Sequence, residues 1–309
     1  MTFDLPRRRM LLATGGTVLS GLLGSPRAVR AQEALITRPL PGGERLPIVG
    51  IGTAVIFDYA KDPEKHAARR EVIRTLIAGG ARLVDTAPAY GNAEERLGEL
   101  VAELGVRDRL FLATKFKFDI SRAEAEASLR ASMRRLRTDR FDLMQAWNVA
   151  DGGYSLGLLR EWKQSGACRY TGITTSQAKS YEAMRQVLLR EKPDVLQVDY
   201  SLGNREAEAS LLPAAMDAGS AVLVNLPFGR NNLFRKAGNR PLPDFAAEIG
   251  ARSWAQFFLK FILGHPAVTA VIPGTDRPEY MVDNLQAGRG PLPDAAMRRR
   301  MAQYWDALG

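Results

Sequence analysis

Three residues capable of proton transfer follow two neighbouring apolar segments of the chain. Residues 83–85 read Leu-Val-Asp and lead into a loop that contains Tyr90. About one strand–helix unit later, residues 110–115 read Leu-Phe-Leu-Ala-Thr-Lys. Short apolar runs that end at a charge or a proline are typical of buried strands. We therefore expect Asp85, Tyr90 and Lys115 at neighbouring strand exits, where α/β enzymes carry their chemistry.

Side by side, these three side chains can make a proton donor. An ammonium near a phenol favours the phenolate, so Lys115 would make Tyr90 a stronger acid. The carboxylate of Asp85 would keep the lysine charged and in place. Taken singly, the residues also fit a turn cap, a half-exposed loop residue and a charge at a strand end. Their combination and spacing favour the chemical interpretation.

The rest of the chain alternates short apolar segments with amphipathic ones, which predicts an α/β fold, a (β/α)8 TIM barrel of eight strands and eight helices. The strands are predicted near 49–53, 81–86, 110–115, 141–147, 169–174, 194–199, 221–226 and 268–273. The helices are predicted near 64–79, 92–104, 121–137, 155–165, 177–191, 205–218, 252–264 and 278–286.

Two further elements flank the eight predicted strand–helix units, and the whole barrel domain is expected to span residues 34–309. Residues 34–37 and 46–50, separated by a Pro-Gly-Gly turn, predict an N-terminal β-hairpin. Residues 294–308 predict an extra C-terminal helix with Met297, Met301, Tyr304 and Trp305 on one face.

A doubly wound dinucleotide-binding sheet is the main alternative fold. It needs a Gly-x-Gly-x-x-Gly turn after its first strand. Residues 50–55 read Gly-Ile-Gly-Thr-Ala-Val and lack the third glycine. The sequence therefore favours the barrel.

Residues 84–98 read V-D-T-A-P-A-Y-G-N-A-E-E-R-L-G, which closely resembles the signature of the aldo-keto reductases. A-T-K-F at 113–116 resembles their lysine strand, and the resemblance covers most of residues 46–289. It implies an oxidoreductase that transfers a hydride between NADPH and a small-molecule carbonyl or alcohol, with Tyr90 as proton donor. NADH is an open alternative.

The resemblance also implies a set of cofactor-binding residues. They are Gly52, Thr53, Asp85, Thr174, Thr175, Gln197, Asn225, Leu226, Pro227, Phe228, Gly274, Thr275, Arg277, Tyr280 and Asn284. Gln197 has a reason of its own, because a glutamine on a buried apolar strand needs a partner. The helix predicted to begin near 278 offers free N–H groups that bind phosphate well.

The chain departs from the family pattern at its fourth catalytic position. The resemblance implies a histidine at the end of the fourth strand, but residues 142–148 read D-L-M-Q-A-W-N and place Trp147 there. An indole N–H donates one hydrogen bond but can neither titrate nor accept. Neither His66 nor His265 lies near a predicted strand exit on this face. Trp147 is therefore the fourth catalytic candidate.

Two further departures concern the cofactor. Asn225 stands where the family places an aromatic residue that stacks on nicotinamide, although Phe228 could take that place. Gly274 and Tyr280 stand where a lysine and an arginine usually hold the 2′-phosphate, with Arg277 displaced but close. The preference for NADPH therefore follows from the resemblance alone.

A mainly apolar substrate mouth is expected beside these groups, lined by Phe57, Trp147 and Asn148. Packing within its loop is the alternative role for Phe57. The single cysteine and the two distant histidines predict no metal site. The net charge is +9, to which the five arginines and one aspartate of residues 1–31 contribute +4. The modest positive balance of the remainder suits a phosphate-bearing ligand and does not require a nucleic-acid partner.

Residues 1–31 predict a twin-arginine-type signal peptide. Three arginines at 7–9 precede Met-Leu-Leu, a weakly apolar run follows at 11–23, and Ala31 offers a small-residue cleavage site. The run is too short and too rich in glycine for a stable membrane span. We expect the twin-arginine export machinery to carry the folded protein to the periplasm or outside the cell. A cytoplasmic arm is the alternative.

Two functions are compatible with these observations. The first is an exported aldo-keto reductase-like enzyme. The second is a barrel that binds a nucleotide or small ligand without efficient catalysis and acts as a sensor or partner protein. Trp147 favours the second, as does the lack of an obvious supply of reduced dinucleotide outside the cytoplasm.

Overall fold

A computed structural model describes residues 33–117, 120–147 and 154–308. Its strands are β1 (Thr37–Pro39), β2 (Arg45–Pro47), β3 (Ile51–Gly52), β4 (Leu83–Asp85), β5 (Phe111–Lys117), β6 (Phe141–Trp147), β7 (Cys168–Thr175), β8 (Val195–Asp199), β9 (Ala221–Asn225) and β10 (Val268–Val271). Its α-helices are α1 (Pro63–Ala78), α2 (Ala93–Leu104), α3 (Arg122–Leu136), α4 (Tyr154–Gln164), α5 (Tyr181–Glu191), α6 (Leu211–Ala218), α7 (Asn232–Ala237), α8 (Trp254–Leu263), α9 (Pro278–Gln286) and α10 (Ala295–Ala307). Within the described ranges, none of these helices combines the length and the apolar character needed to cross a membrane.

Strands β3 to β10 form one parallel sheet in chain order. The two edges of the sheet meet, because the N–H of Gly50 donates to the carbonyl of Val271 and the N–H of Val271 donates to the carbonyl of Ile48, both at 2.9 Å. A Cβ added at Gly50 would lie 2.7 Å from the carbonyl oxygen of Leu83, so this close approach requires glycine. The eight strands form a nearly closed barrel with helices outside, which confirms the predicted (β/α)8 fold.

The hairpin of β1 and β2 covers the amino-terminal end of the barrel. The carboxylate of Glu44 accepts hydrogen bonds from Arg82 at 2.8 Å and from the hydroxyl of Tyr170 at 2.7 Å, and it pairs with Arg169. All three partners lie at or just before the starts of barrel strands. Leu46 of the hairpin is fully buried against the barrel interior. The carboxyl ends of the strands lie at the opposite end.

Apolar side chains pack in two layers, one inside the barrel and one between the sheet and the helices. The second layer exists because each helix carries an apolar face. Helix α10 illustrates it, since Met301 and Trp305 are buried and Met297 and Tyr304 are partly buried against the same core. This confirms the predicted apolar face of the last helix.

Several element boundaries differ from the sequence prediction. Helices α5 and α6 begin later than predicted, because 3-10 turns at Ala178–Ser180 and Glu206–Ala209 precede them. Helix α7 and a 3-10 helix at Asp244–Ile249 are additional to the predicted set. Both are short and lie among glycines and prolines, so their apolar residues show no extended helical period.

Candidate active site

The carboxyl ends of the barrel strands surround a cleft of about 510 Å³. The predicted site residues that line it are Gly52, Thr53, Asp85, Tyr90, Lys115, Trp147, Thr174, Gln197, Asn225, Leu226, Pro227, Phe228 and Gly274. Other residues line it without having been predicted: Ala54, Val55, Ile56, Ser176, Arg230, Asn231 and Ile272. Every barrel strand, or the loop that follows it, therefore contributes to one cleft.

At the bottom of the cleft, a buried ion pair joins two neighbouring strands. The Nζ atom of Lys115 lies 2.6 Å from Oδ2 of Asp85 and donates to the carbonyl of Thr86 at 2.9 Å. Strand register explains the pair, because Asp85 lies opposite Ala113 and Lys115 is two residues further along β5 on the same face. The two side chains are 2% and 4% exposed, so water does not screen their attraction effectively.

Tyr90 lies beside this pair, with its ring centroid 5.1 Å from Nζ of Lys115. Burial alone would lower the pKa of Lys115, but the charge of Asp85 opposes burial and the phenol of Tyr90 acts in the same direction as Asp85. The pKa of Lys115 is consequently raised above its usual value. The site therefore places a buried ammonium, paired with Asp85, beside a half-buried phenol.

Two glutamines hold the other oxygen of Asp85. Oδ1 accepts from Nε2 of Gln197 at 2.8 Å and from Nε2 of Gln145 at 3.2 Å. The Oε1 atom of Gln197 in turn accepts from Thr174 at 3.2 Å and from Asn225 at 3.3 Å. Sequence reasoning missed Gln145, although the argument made for Gln197, a glutamine on an apolar strand, applies to it equally. The network fixes the carboxylate of Asp85 from the side opposite Lys115.

Trp147 ends β6 and lines the cleft above Gln145. Because side chains alternate along a strand, residues 145 and 147 point to the same side of the sheet, with Trp147 nearer the mouth. Strand pairing places Trp147 between Lys117 and Thr174. A large indole therefore occupies the wall of the cleft next to the Asp85–Lys115 pair.

Three residues that the sequence predicts in the site are not among the described residues that line the cleft. Phe57 is fully buried in the core between the sheet and the helices, so its predicted place in the substrate mouth is wrong, and Val55 and Ile56 line the cleft instead. Thr175 is 1% exposed, and its hydroxyl accepts from the N–H of Gln177 at 3.1 Å rather than facing the cleft. Asn148 lies outside the described residues.

The remaining predicted cofactor residues lie beyond Gly274, on the loop after β10 and on α9. Thr275 and Asn284 are buried, and the hydroxyl of Thr275 accepts from the N–H of Arg277 at 3.3 Å. The guanidinium of Arg277 lies 5.4 Å from the ring centroid of Tyr280. These residues do not line the cleft itself, but they come next in the chain after Gly274, which does line it.

Sequence reasoning also missed the role of Glu94 in supporting the site. Its 1% exposed carboxylate accepts from Thr114 at 2.7 Å, from Ser132 at 3.1 Å and from Arg135 at 2.6 and 2.8 Å. Thr114 precedes Lys115, so Glu94 ties α2 to the lysine strand. Its partners are 20 to 41 residues away in sequence, which is why no local pattern reveals them.

Comparison with known proteins adds to this geometry. The model of the aldo/keto reductase family matches residues 49–303. An aldo-keto reductase of Mycolicibacterium smegmatis is 31% identical over 261 residues, which cover 82% of this chain and 85% of that protein. YhdN, an aldo-keto reductase of Bacillus subtilis, is 31% identical over 183 residues, about half of each protein (55% and 54%).

Solved structures resemble the chain in the same way. A structure of an aldo/keto reductase from Klebsiella pneumoniae in complex with NADP and acetate superposes with a TM-score of 0.73. It is 23% identical and covers 87% of this chain and 95% of that one, which shows a shared fold. Since the family model spans almost the whole barrel, the chain belongs to the aldo/keto reductase family.

Proposed function

We propose that the chain is an NAD(P)H-dependent oxidoreductase that interconverts a small-molecule carbonyl and its alcohol, with Tyr90 as proton donor. The observation that carries this proposal is the position of Lys115, 2.6 Å from the carboxylate of Asp85 and 5.1 Å from the ring of Tyr90. This arrangement couples a phenol to a fixed positive charge in the cleft. Family membership supports the same reaction class.

In the proposed mechanism, the phenol of Tyr90 donates its proton to the carbonyl oxygen. The ammonium of Lys115 stabilises the phenolate that remains, and Asp85 keeps that ammonium in place. The chemistry that a bound reduced nicotinamide supplies is a hydride for the carbonyl carbon. In the direction of alcohol oxidation, the phenolate of Tyr90 takes the proton back.

The polar wall of the cleft fits a nicotinamide carboxamide. Asn225 lines the cleft, and its buried Oδ1 atom has no hydrogen-bond partner among the described residues. A carboxamide N–H₂ would satisfy this oxygen, and the hydroxyl of Thr174 lies in the same network. The relative from Klebsiella pneumoniae binds NADP, which supports NADPH as the cofactor. We keep NADH as an alternative, because neither Gly274 nor Tyr280 supplies a cation for a 2′-phosphate.

Trp147→His tests whether the residue at the end of β6 limits the rate of carbonyl reduction. An imidazole would replace the indole with a smaller ring whose N–H donor can also titrate, and one donor aimed at the oxygen is typically worth a factor of 10²–10³ in kcat. We expect wild-type protein to reduce small aldehydes slowly and the variant to be at least about tenfold faster. The loss of NADPH absorbance measures both rates, and Trp147→Phe, which supplies no donor, should not accelerate the reaction.

The sensor alternative makes a different prediction for the same proteins. If the barrel only binds a nucleotide, titration with NADPH or NADH should change the fluorescence of the protein. The wild-type protein would nevertheless show no turnover with any aldehyde or alcohol. Turnover in wild-type protein therefore excludes the sensor. Failure of both nucleotides to bind would contradict both functions.

We also infer that the protein is exported through the twin-arginine pathway, which the sequence of residues 1–31 supports. This route carries folded proteins, so the cofactor could bind before export. We expect Arg8→Lys/Arg9→Lys to leave the full-length precursor inside the cell, because the paired arginines are the recognition element. Fractionation and mass measurement of the N-terminus check this, and Arg27→Lys, which is outside the pair, is the control. Equal export of the two variants would contradict the assignment.

A further inference from the structure

A carboxylate of the loop between β3 and α1 holds the loop that carries Tyr90. The Oδ1 atom of Asp58 accepts from the backbone N–H of Asn92 at 2.9 Å and from its side-chain Nδ2 at 3.1 Å. Asn92 lies two residues after Tyr90 and directly before α2. The loop that carries Tyr90 begins after Asp85, at the end of β4, and ends at Asn92, before α2. Asp58 is hydrogen-bonded to the Asn92 end of this loop.

The two loops meet without spare room. Gly91, between Tyr90 and Asn92, has φ +59°, and a Cβ added there would lie 2.3 Å from Oδ1 of Asp58. Both the backbone conformation and the space therefore require glycine. Displacement of the Tyr90 loop towards Asp58 is blocked, and displacement away from it breaks two hydrogen bonds.

The loop that carries Asp58 is itself fixed. Its neighbours Phe57 and Tyr59 are 0% and 5% exposed, so they bury the chain on both sides of the carboxylate. The Nε atom of Arg69, on α1, donates to the carbonyl of Ile56 at 2.9 Å. A tether positions a loop only when its other end is rigid, and this end meets that condition.

The backbone hydrogen bonds of Tyr90 itself are local. Its N–H donates to the carbonyl of Ala87 and its carbonyl accepts from the N–H of Ala93, both at 3.1 Å. Asn92 makes no side-chain cap on α2, and the negative charge of Asp58 faces that helix N-terminus instead, where it is favourable. Asp58 supplies a contact that ties the backbone of this turn to another part of the barrel.

We propose that Asp58 is a positioning residue, which holds the phenol of Tyr90 at its distance from Lys115. The inference rests on the proposed role of Tyr90 as proton donor. Asp58 is exposed and does not line the cleft, so it acts through the loop and not through contact with substrate or cofactor. A misplacement of about 1 Å far from the chemistry can lower a rate by about 10²-fold.

Asp58→Ala should therefore lower kcat by about 10- to 100-fold, with KM for an aldehyde and Kd for NADPH within about twofold of wild type. Asp58→Asn retains an oxygen that can accept both bonds, so it should recover most of kcat. Asp62→Ala is the matched control, because Asp62 lies in the same loop but caps α1 through the N–H of Lys65 at 3.0 Å. It should cost some stability and leave kcat unchanged.

A double variant shows whether Asp58 acts through Tyr90. If it does, Asp58→Ala adds no further loss to Tyr90→Phe, whereas independent effects would multiply. Multiplication, or a wild-type kcat for Asp58→Ala while Tyr90→Phe is inactive, would overturn the inference and leave the proposed function standing. If Tyr90→Phe is as active as wild type, the proposed function fails. In that case, hydrogen exchange of the backbone amides of residues 86–95 tests whether Asp58 holds the loop. Faster exchange in Asp58→Ala than in wild type would support this role, and equal exchange would refute it.

Discussion

Tyr90→Phe is expected to lower the rate of NADPH-dependent carbonyl reduction by a factor of about 10²–10³. The substitution removes only the phenolic oxygen, so it deletes the proton donor and leaves the ring in place beside Lys115. Removal of a donor aimed at a developing oxyanion typically costs about 2.7–4 kcal/mol, which corresponds to this factor. Steady-state kinetics with an aldehyde in excess measure the loss in kcat.

The binding of nicotinamide nucleotide should change by no more than a few-fold in the same variant. Fluorescence titration with NADPH separates binding from chemistry. Tyr304→Phe is a suitable control, since Tyr304 lies on α10 with its ring 5.7 Å from that of Phe245, on the outside of the barrel. A Tyr90→Phe protein with the wild-type rate would show that the proton comes from another group.

Much of this site could be predicted because each of its strands ends in a pattern that is visible within a few residues of sequence. Asp85 and Lys115 each stand at the end of an apolar run, and a barrel brings the ends of successive strands together. The same reasoning predicted the barrel, since its strands appear as short apolar runs and most of its helices are long enough to show an apolar face. Trp147 was singled out through the family resemblance, which implies a catalytic histidine at the end of its strand.

The missing parts depend on contacts that sequence spacing does not encode. Phe57 and Ile56 are adjacent and equally apolar, so only the fold decides which faces the core and which the cleft. Asp58 lies 34 residues from Asn92, and both look like ordinary polar loop residues. Gln145 differs, because a buried amide on an apolar strand is itself a signal that a partner exists.

Lys115→Met is expected to affect both stability and activity. The lysine and Asp85 are almost fully buried, so the substitution leaves a buried carboxylate whose remaining side-chain partners, within the described part of the chain, are the amides of Gln145 and Gln197. Breaking a buried ion pair in this way costs about 3–5 kcal/mol. Urea unfolding should show a loss of this order in the free energy of unfolding, and carbonyl reduction should be abolished. Lys117→Met, on the same strand but exposed, should change stability by less than about 0.5 kcal/mol.

The variant Asp85→Asn/Lys115→Met separates the two roles of the ion pair. It removes both charges, and the new amide oxygen can still accept from Gln145 and Gln197, so the double variant should be less destabilised than the sum of the two single variants. Activity should not return, because the ammonium that stabilises the phenolate of Tyr90 is absent in it. Strict additivity of the stability losses would mean that the 2.6 Å contact contributes nothing beyond its separate partners. Recovered activity would mean that Lys115 supports the fold and not the proton transfer. A lysine that is needed only for the fold can be replaced together with its counter-ion without loss of activity, whereas a lysine that stabilises the phenolate cannot.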